Sequence, residues 1–214
     1  MGEWHFQRSG ILCVVSGPSG SGKTTLCRRF SETDGAAVYA ISATTRKPRE
    51  GEEDGIDYFF LERSEFEIGI DRGDFLEYAE VHGNLYGTLK SEVLGHLAAG
   101  RDVLMDIDVQ GAALVRNAAD AVIREALVDI FILLPSTAEV TKRVRARGTE
   151  TEKQLALRLF NADEESRHWP DYRYTFVSAD RETDFATFRS ILAGERCRSS
   201  RLRNLSGEPN VPGV

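Results

Sequence analysis

The chain has 214 residues, 41% of them hydrophobic and 29% charged, which fits a globular domain and is too apolar for a disordered chain. Its longest apolar runs, 11–15 and 130–134, fall far short of the ~20 residues that a membrane-spanning helix needs. The opening MGEWHFQRSG has no signal-peptide stretch, and Phe6 stands where a myristoylation signal wants Ser or Thr. A net charge of −7 argues against a general nucleic-acid binder. A soluble cytoplasmic protein with neither a membrane nor a nucleic-acid partner is expected.

Cys13, Cys27 and Cys197 and the scattered histidines show no metal-ligand spacing. Neither a disulfide framework nor a structural metal site is expected, and Cys13 reads as a small core residue. Among the 27 basic residues only Lys23, Lys47, Lys90, Lys142 and Lys153 are lysines. Genomic base composition alone produces such a bias, but guanidinium forks also suit bidentate phosphate binding, so what matters is where the arginines cluster.

In chain order, 10–16 reads as a buried strand, followed by a glycine-rich turn, a helix over 23–32 and a strand over 37–42. A helix at 91–99, a strand at 103–107 and a helix from Gln110 come later. Then follow a strand at 129–134, a long helix capped by Ser136, a helix over 152–167, a strand at 174–177 and a last helix from about Thr183. Apolar strands alternating with amphipathic helices give an α/β fold, a parallel sheet covered by helices on both faces. Residues 44–88 break the rhythm with charge, glycine and aromatics, as an inserted lobe would. Residues 195–214, with Pro209, Pro212 and no periodicity, read as a disordered tail.

The strongest motif is Gly17-Pro18-Ser19-Gly20-Ser21-Gly22-Lys23-Thr24, after a strand and before a helix. Such a loop wraps phosphates with backbone N–H groups at a helix N-terminus, with the lysine on the β/γ-phosphates and the hydroxyl on Mg²⁺. Arg46 and Arg49 flank Pro48 and form a second cationic cluster, either an anion pocket or a solvated turn. Tyr58 is either a phosphate donor or a core aromatic. Glu77, in an alternating strand, has the chemistry to accept from guanine N1–H and N2–H₂, with Thr88 or Ser42 as hydroxyl complements, and would repel adenine N1. Asp106 and Asp108 end a hydrophobic strand at i and i+2, where ligands of open sheets bind. Asp106 suits Mg²⁺ orientation through water, and Asp108 suits either the site or a helix N-cap. Arg143, Arg147 and Arg158 flank a polar break and suit a transferring phosphoryl group. Arg145 is expected in surface ion pairing.

Together these residues resemble guanylate kinase, over roughly 10–192. The likeness rests on 17–24, Thr44-Thr45-Arg46 with Pro48-Arg49, Gly51-Glu52, Gly55, Asp57-Tyr58, Glu77, Tyr86-Gly87-Thr88, Asp106-Ile107-Asp108 with Gln110-Gly111, and Arg147-Gly148-Thr149. The resemblance implies a P-loop domain over 1–194, with its core at about 10–43 and 89–194, a GMP-binding lobe at 44–88 and a lid at 143–158. It implies ATP on Gly17 through Thr24 and Thr25, and the GMP phosphate on Arg46, Arg49, Tyr58 and Tyr86. Ser42, Glu77, Thr88 and Asp108 would surround guanine, with Mg²⁺ near Thr24 and Asp106 and with Lys23, Arg143, Arg147 and Arg158 on the transferring phosphate. The implied partners are ATP and GMP; self-association is left open. Two residues depart from the family pattern. Leu85 replaces a tyrosine, and Ser178 replaces an asparagine near the adenine, removing an amide that would read the donor base. A catalytically silent protein-binding module of the same fold, and a related kinase for another phosphorylated acceptor, are the alternatives.

Overall fold

The computed structural model describes residues 5–81, 83–145 and 152–204. A short strand β1 (Phe6–Arg8) precedes β2 (Leu12–Ser16), every residue of which is buried. Side chains alternate along a strand, so Leu12 and Val14 enter one core and Cys13 and Val15 the other. A strand covered on both faces therefore needs an unbroken apolar run. Helix α1 (Lys23–Thr33) buries Leu26, Cys27 and Phe30 and leads into β3 (Ala37–Tyr39).

The lobe follows: β4 (Ala43–Thr44), β5 (Phe59–Phe60), α2 (Arg63–Arg72), β6 (Phe75–Val81) and β7 (Asn84–Leu89). They form a separate sheet in the order β5-β4-β7-β6. Its small core holds Phe66 stacked on Phe75 with ring centroids 4.2 Å apart, beside Ala43 and Leu85. Helix α2 is not among the elements expected from the sequence. Half of its ten residues are charged, only Phe66 and Gly69 are buried, and a Glu62/Glu65 capping box starts it.

Beyond the lobe come α3 (Ser91–Ala98), β8 (Asp102–Asp106), α4 (Val109–Arg116), α5 (Ala121–Ala126), β9 (Leu127–Leu133), α6 (Thr137–Arg145), α7 (Glu152–Ser166), β10 (Tyr174–Val177), α8 (Arg181–Arg196) and β11 (Leu202–Asn204). The main sheet has the parallel order β10-β9-β2-β8-β3. Helices α1 and α8 cover one face around Phe30, Phe185 and Phe188, and α3, α4 and α5 cover the other. Ser136 accepts from the Glu139 N–H at 3.2 Å, the expected cap of α6. Because Val15 pairs with Asp106, the loop after β2 and the end of β8 emerge side by side.

The disordered-tail expectation is corrected for 195–204. Glu195 and Arg196 are the last residues of α8, and β11 pairs antiparallel with β1. Arg196 binds Asp34 and Asp102, while the buried Glu195 accepts from Tyr174 and Arg201. Long-range charged pairs, invisible to periodicity, anchor this segment. Residues 205–214 lie outside the described residues. Among the described residues no helix is long and apolar enough to cross a membrane, and Cys13, Cys27 and Cys197 are free thiols.

Candidate active site

The loop between β2 and α1 turns at Gly17, where φ is +151° and a Cβ would lie 2.4 Å from the Ile132 carbonyl oxygen. Only glycine fits there. No side chain caps α1, so its first-turn N–H groups are available to an anion. Ser21 is buried in the loop, and its Oγ has no hydrogen-bond partner among the described residues. Lys23 Nζ donates to the carbonyls of Gly17 (2.5 Å) and Pro18 (3.3 Å), which holds the ammonium over the loop. The backbone of 17–25 thus sits at the carboxyl edge of the sheet, where Gly17 through Thr25 were expected to receive phosphates.

Beside this loop Thr24 Oγ1 donates to Asp106 Oδ2 at 2.5 Å, and the Tyr39 hydroxyl donates to Oδ1 of the same carboxylate. Tyr39 was not anticipated. Burial, and next the negative Asp106, raise its phenol above the ordinary range, so it stays a proton donor. The guanidinium of Arg28 lies 5.4 Å from the Tyr39 ring centroid and donates to Asp57 at 3.0 Å, tying α1 to the lobe. Thr24 and Asp106 offer only oxygen atoms next to the phosphate loop, the donor chemistry that Mg²⁺ prefers.

A concavity of about 180 Å³ lies between lobe and core, lined by Ser42, Tyr58, Glu77, Tyr86, Asp106 and Asp108 among others. Glu77 is 6% exposed, although alternation along a half-buried strand would ordinarily turn a glutamate outward. It faces inward with Phe75 after a bulge in β6. Thr88 Oγ1 donates to its Oε1 at 2.8 Å. Helix α4 packs so closely that a Cβ on Gly111 would come 2.8 Å from Glu77 Oε2. Burial raises Glu77 to about 7; the Thr88 hydrogen bond opposes that rise and the charge of Asp108 adds to it. Thr88 is wholly buried, and its hydroxyl is committed to Glu77. Asp108 takes the capping option: its Oδ1 accepts from the Gly111 N–H at 2.8 Å, while the residue also lines the concavity.

Tyr58 and Tyr86 meet edge to face at 6.1 Å, and the Arg46 guanidinium lies 5.4 Å from the Tyr58 ring. Arg46 forms a bidentate pair with Glu52, both contacts 2.9 Å. Glu52 also accepts from the Arg49 N–H at 2.7 Å, so it braces both expected phosphate-binding arginines. Arg46 holds the Glu52 carboxyl below the usual range. The Arg49 side chain is exposed.

On the opposite side, Arg143 donates through Nε to Glu139 at 2.8 Å and through a terminal nitrogen to Ser178 Oγ at 3.1 Å. Ser178 is buried and donates to Asp184 at 2.7 Å. Ser178, which departs from the family pattern, thus links α6 to α8. Arg147 lies outside the described residues. Arg158 is in α7, with its backbone alone described. Arg145 is exposed and, contrary to the surface-pairing expectation, makes no ion pair among the described residues. Its helix spacing leaves the nearby Glu139 to Lys142 and Arg143 instead. Glu165, also unanticipated, is half-buried on α7. Burial raises its pKa; Lys23 opposes that rise and Asp108 adds to it, which puts it within electrostatic reach of both.

A guanylate kinase family model matches residues 9–195. The guanylate kinase of Clostridioides difficile is 41% identical over 94% of this chain and 95% of its own. That of Syntrophotalea carbinolica is 44% identical over 94% and 93% respectively. The crystal structure of guanylate kinase from Anaplasma phagocytophilum superposes with a TM-score of 0.76 at 31% identity, covering 92% of both chains.

Proposed function

The chain belongs to the guanylate kinase family, and we propose that it transfers the γ-phosphoryl group of ATP to GMP, giving ADP and GDP. The observation that carries the choice of acceptor is Glu77, a buried carboxylate braced by Thr88 at the bottom of a concavity that adjoins the P-loop side of the sheet. Ionised, it accepts from guanine N1–H and N2–H₂; adenine offers an acceptor at N1 and is repelled. Ser42 and Asp108 line the same space. The guanine face does not touch the sugar, so dGMP is an acceptor too.

The chemistry is in-line displacement at phosphorus. The attacking oxygen belongs to the GMP phosphate, whose second pKa is about 6, so it is mostly deprotonated at neutral pH. The chain therefore needs no general base. Its task is to bring two polyanions together. Arg46, Arg49, Tyr58 and Tyr86 hold the acceptor phosphate, with Arg46 kept in register by Glu52. Lys23 and the N-terminus of α1 hold the donor phosphates, and Arg143, Arg147 and Arg158 add positive charge where negative charge moves. Thr24 and Asp106 would hold Mg²⁺, which would supply charge neutralisation for the donor phosphates when bound. Closure of the lobe over the core excludes water and suppresses hydrolysis of ATP. The composition and the solubility of the substrates fit a cytoplasmic enzyme.

Phosphorus NMR tests the reaction directly. A mixture of Mg-ATP and GMP should lose the γ-phosphate signal of ATP and gain the two signals of GDP together with those of ADP. Release of inorganic phosphate without GDP would overturn the proposal.

A further inference from the structure

A cavity of about 750 Å³ lies at the opposite end of the sheet. Residues before β2 and β9 and the pair β1·β11 form its walls, whereas the P-loop and Asp106 stand at the carboxyl ends of β2 and β8. The lining carries Arg8, Arg124, Arg173, Arg198, Arg201 and Arg203, with Glu125 as the lining carboxylate. In a chain of net charge −7 this is a concentrated positive field.

The carboxylates behind the wall do not neutralise it. Arg8 is matched by Asp102, which also serves Arg196. Glu195, 2% exposed, accepts from the Tyr174 hydroxyl at 2.7 Å on one oxygen and from Arg201 at 3.0 Å on the other. With both oxygens engaged, Arg198 approaches it only at 3.4 Å and Arg173 only at 3.9 Å. One buried carboxylate thus faces three guanidinium groups. Arg124 donates to the carbonyls of Ala118 and Ala119, both at 2.6 Å, and so keeps its full charge. The Arg203 side chain has no hydrogen-bonding or ionic partner among the described residues. Arg201 is 4% exposed, and its Nε is buried without a hydrogen-bond partner among the described residues.

We propose that this cavity binds a small anion bearing a di- or triphosphate, held by Arg173, Arg198 and Arg203 above the fixed Arg201–Glu195 pair. Several guanidinium forks around one space match the many oxygens of a phosphate chain better than a lone carboxylate. The volume falls within the roughly 300–1,000 Å³ of small-molecule sites. The concave form and the negative charge elsewhere disfavour a long nucleic acid.

The test is titration calorimetry on the full chain saturated with GMP and ADP, with inorganic tripolyphosphate and CTP as probes at constant ionic strength. Tripolyphosphate or CTP should bind as one further equivalent. An Arg173→Ala/Arg198→Ala double variant should weaken that binding at least tenfold while GMP turnover stays unchanged. Tighter binding of CTP assigns the site to nucleotides, and tighter tripolyphosphate assigns it to inorganic chains. Arg203→Ala, which breaks no side-chain bond, should weaken binding several-fold and keeps the test readable if the double variant melts early. No further equivalent, or equal affinity in the wild type and both variants, would overturn the proposal. Turnover is read separately, so a failure here leaves the proposed reaction standing and the reverse also holds.

Discussion

The Tyr39 hydroxyl donates to Asp106 Oδ1 while Thr24 Oγ1 takes Oδ2, so the last residue of β8 is held from both sides at the edge of the P-loop. A hydrogen bond to a charged group contributes about 1.5–3 kcal/mol, on the order of tenfold or more in an equilibrium. Tyr39→Phe should therefore raise the Mg²⁺ concentration for half-maximal rate by roughly tenfold, with KM for GMP little changed. Magnesium titrations at fixed ATP and GMP check this; a change confined to the KM of GMP would mean that Tyr39 serves the lobe instead.

Glu77 titrates near 7 because burial penalises its charge. Guanine needs the ionised form, so kcat/KM for GMP should climb with pH through about 7. Glu77→Gln should lose that limb, along with most GMP use, and leave the KM for ATP nearly unchanged. Thr88→Val removes a bond that lowers the pKa, so the limb should move to higher pH.

Stability of the unliganded chain follows the same group. Its folded pKa of about 7 stands above the unfolded value of 4.5. The contribution of Glu77 is therefore fully present below 4.5 and lost as pH rises through 7. Urea midpoints between pH 5 and 8 should fall less for Glu77→Gln than for the wild type.

Glu52 accepts from the Arg46 guanidinium and the Arg49 N–H. Glu52→Ala should loosen both arginines and raise KM for GMP by roughly tenfold, the scale of one charged hydrogen bond. Steady-state kinetics with varied GMP check it, and kcat should change less than KM.

Ser178 stands between Arg143 and Asp184. Ser178→Ala should free Arg143 and reduce kcat by about threefold to tenfold, the worth of one polar contact at the transferring phosphate. An effect on KM for ATP alone would mean that the serine acts at the donor base.

How much of this the sequence revealed differs by element. The unbroken apolar stretch in β2 and the glycine-lysine loop after it are local signals, and the strand, loop and helix lie close to where they were read. Helix α2 is harder to read because only Phe66 and the partly buried Ile70 give it an apolar contact with the lobe core, too short a repeat for a clear 3.6-residue pattern. Glu77 shares the buried face of β6 with Phe75 two residues before it, but its seat against α4 depends on Gly111, which is far away in sequence. Tyr39, Glu52 and Glu165 acquire their roles from partners set by tertiary packing, and 195–204 is anchored by Asp34, Asp102 and Tyr174, far away in sequence.

The central claim is that a guanine-reading pocket feeds a working phosphoryl-transfer site. A coupled ADP-release assay with Mg-ATP, comparing GMP, dGMP, AMP, CMP and UMP, tests it most directly. Strong turnover confined to GMP and dGMP is the predicted result. Silence with every acceptor in folded protein, or AMP turned over as fast as GMP, would contradict it.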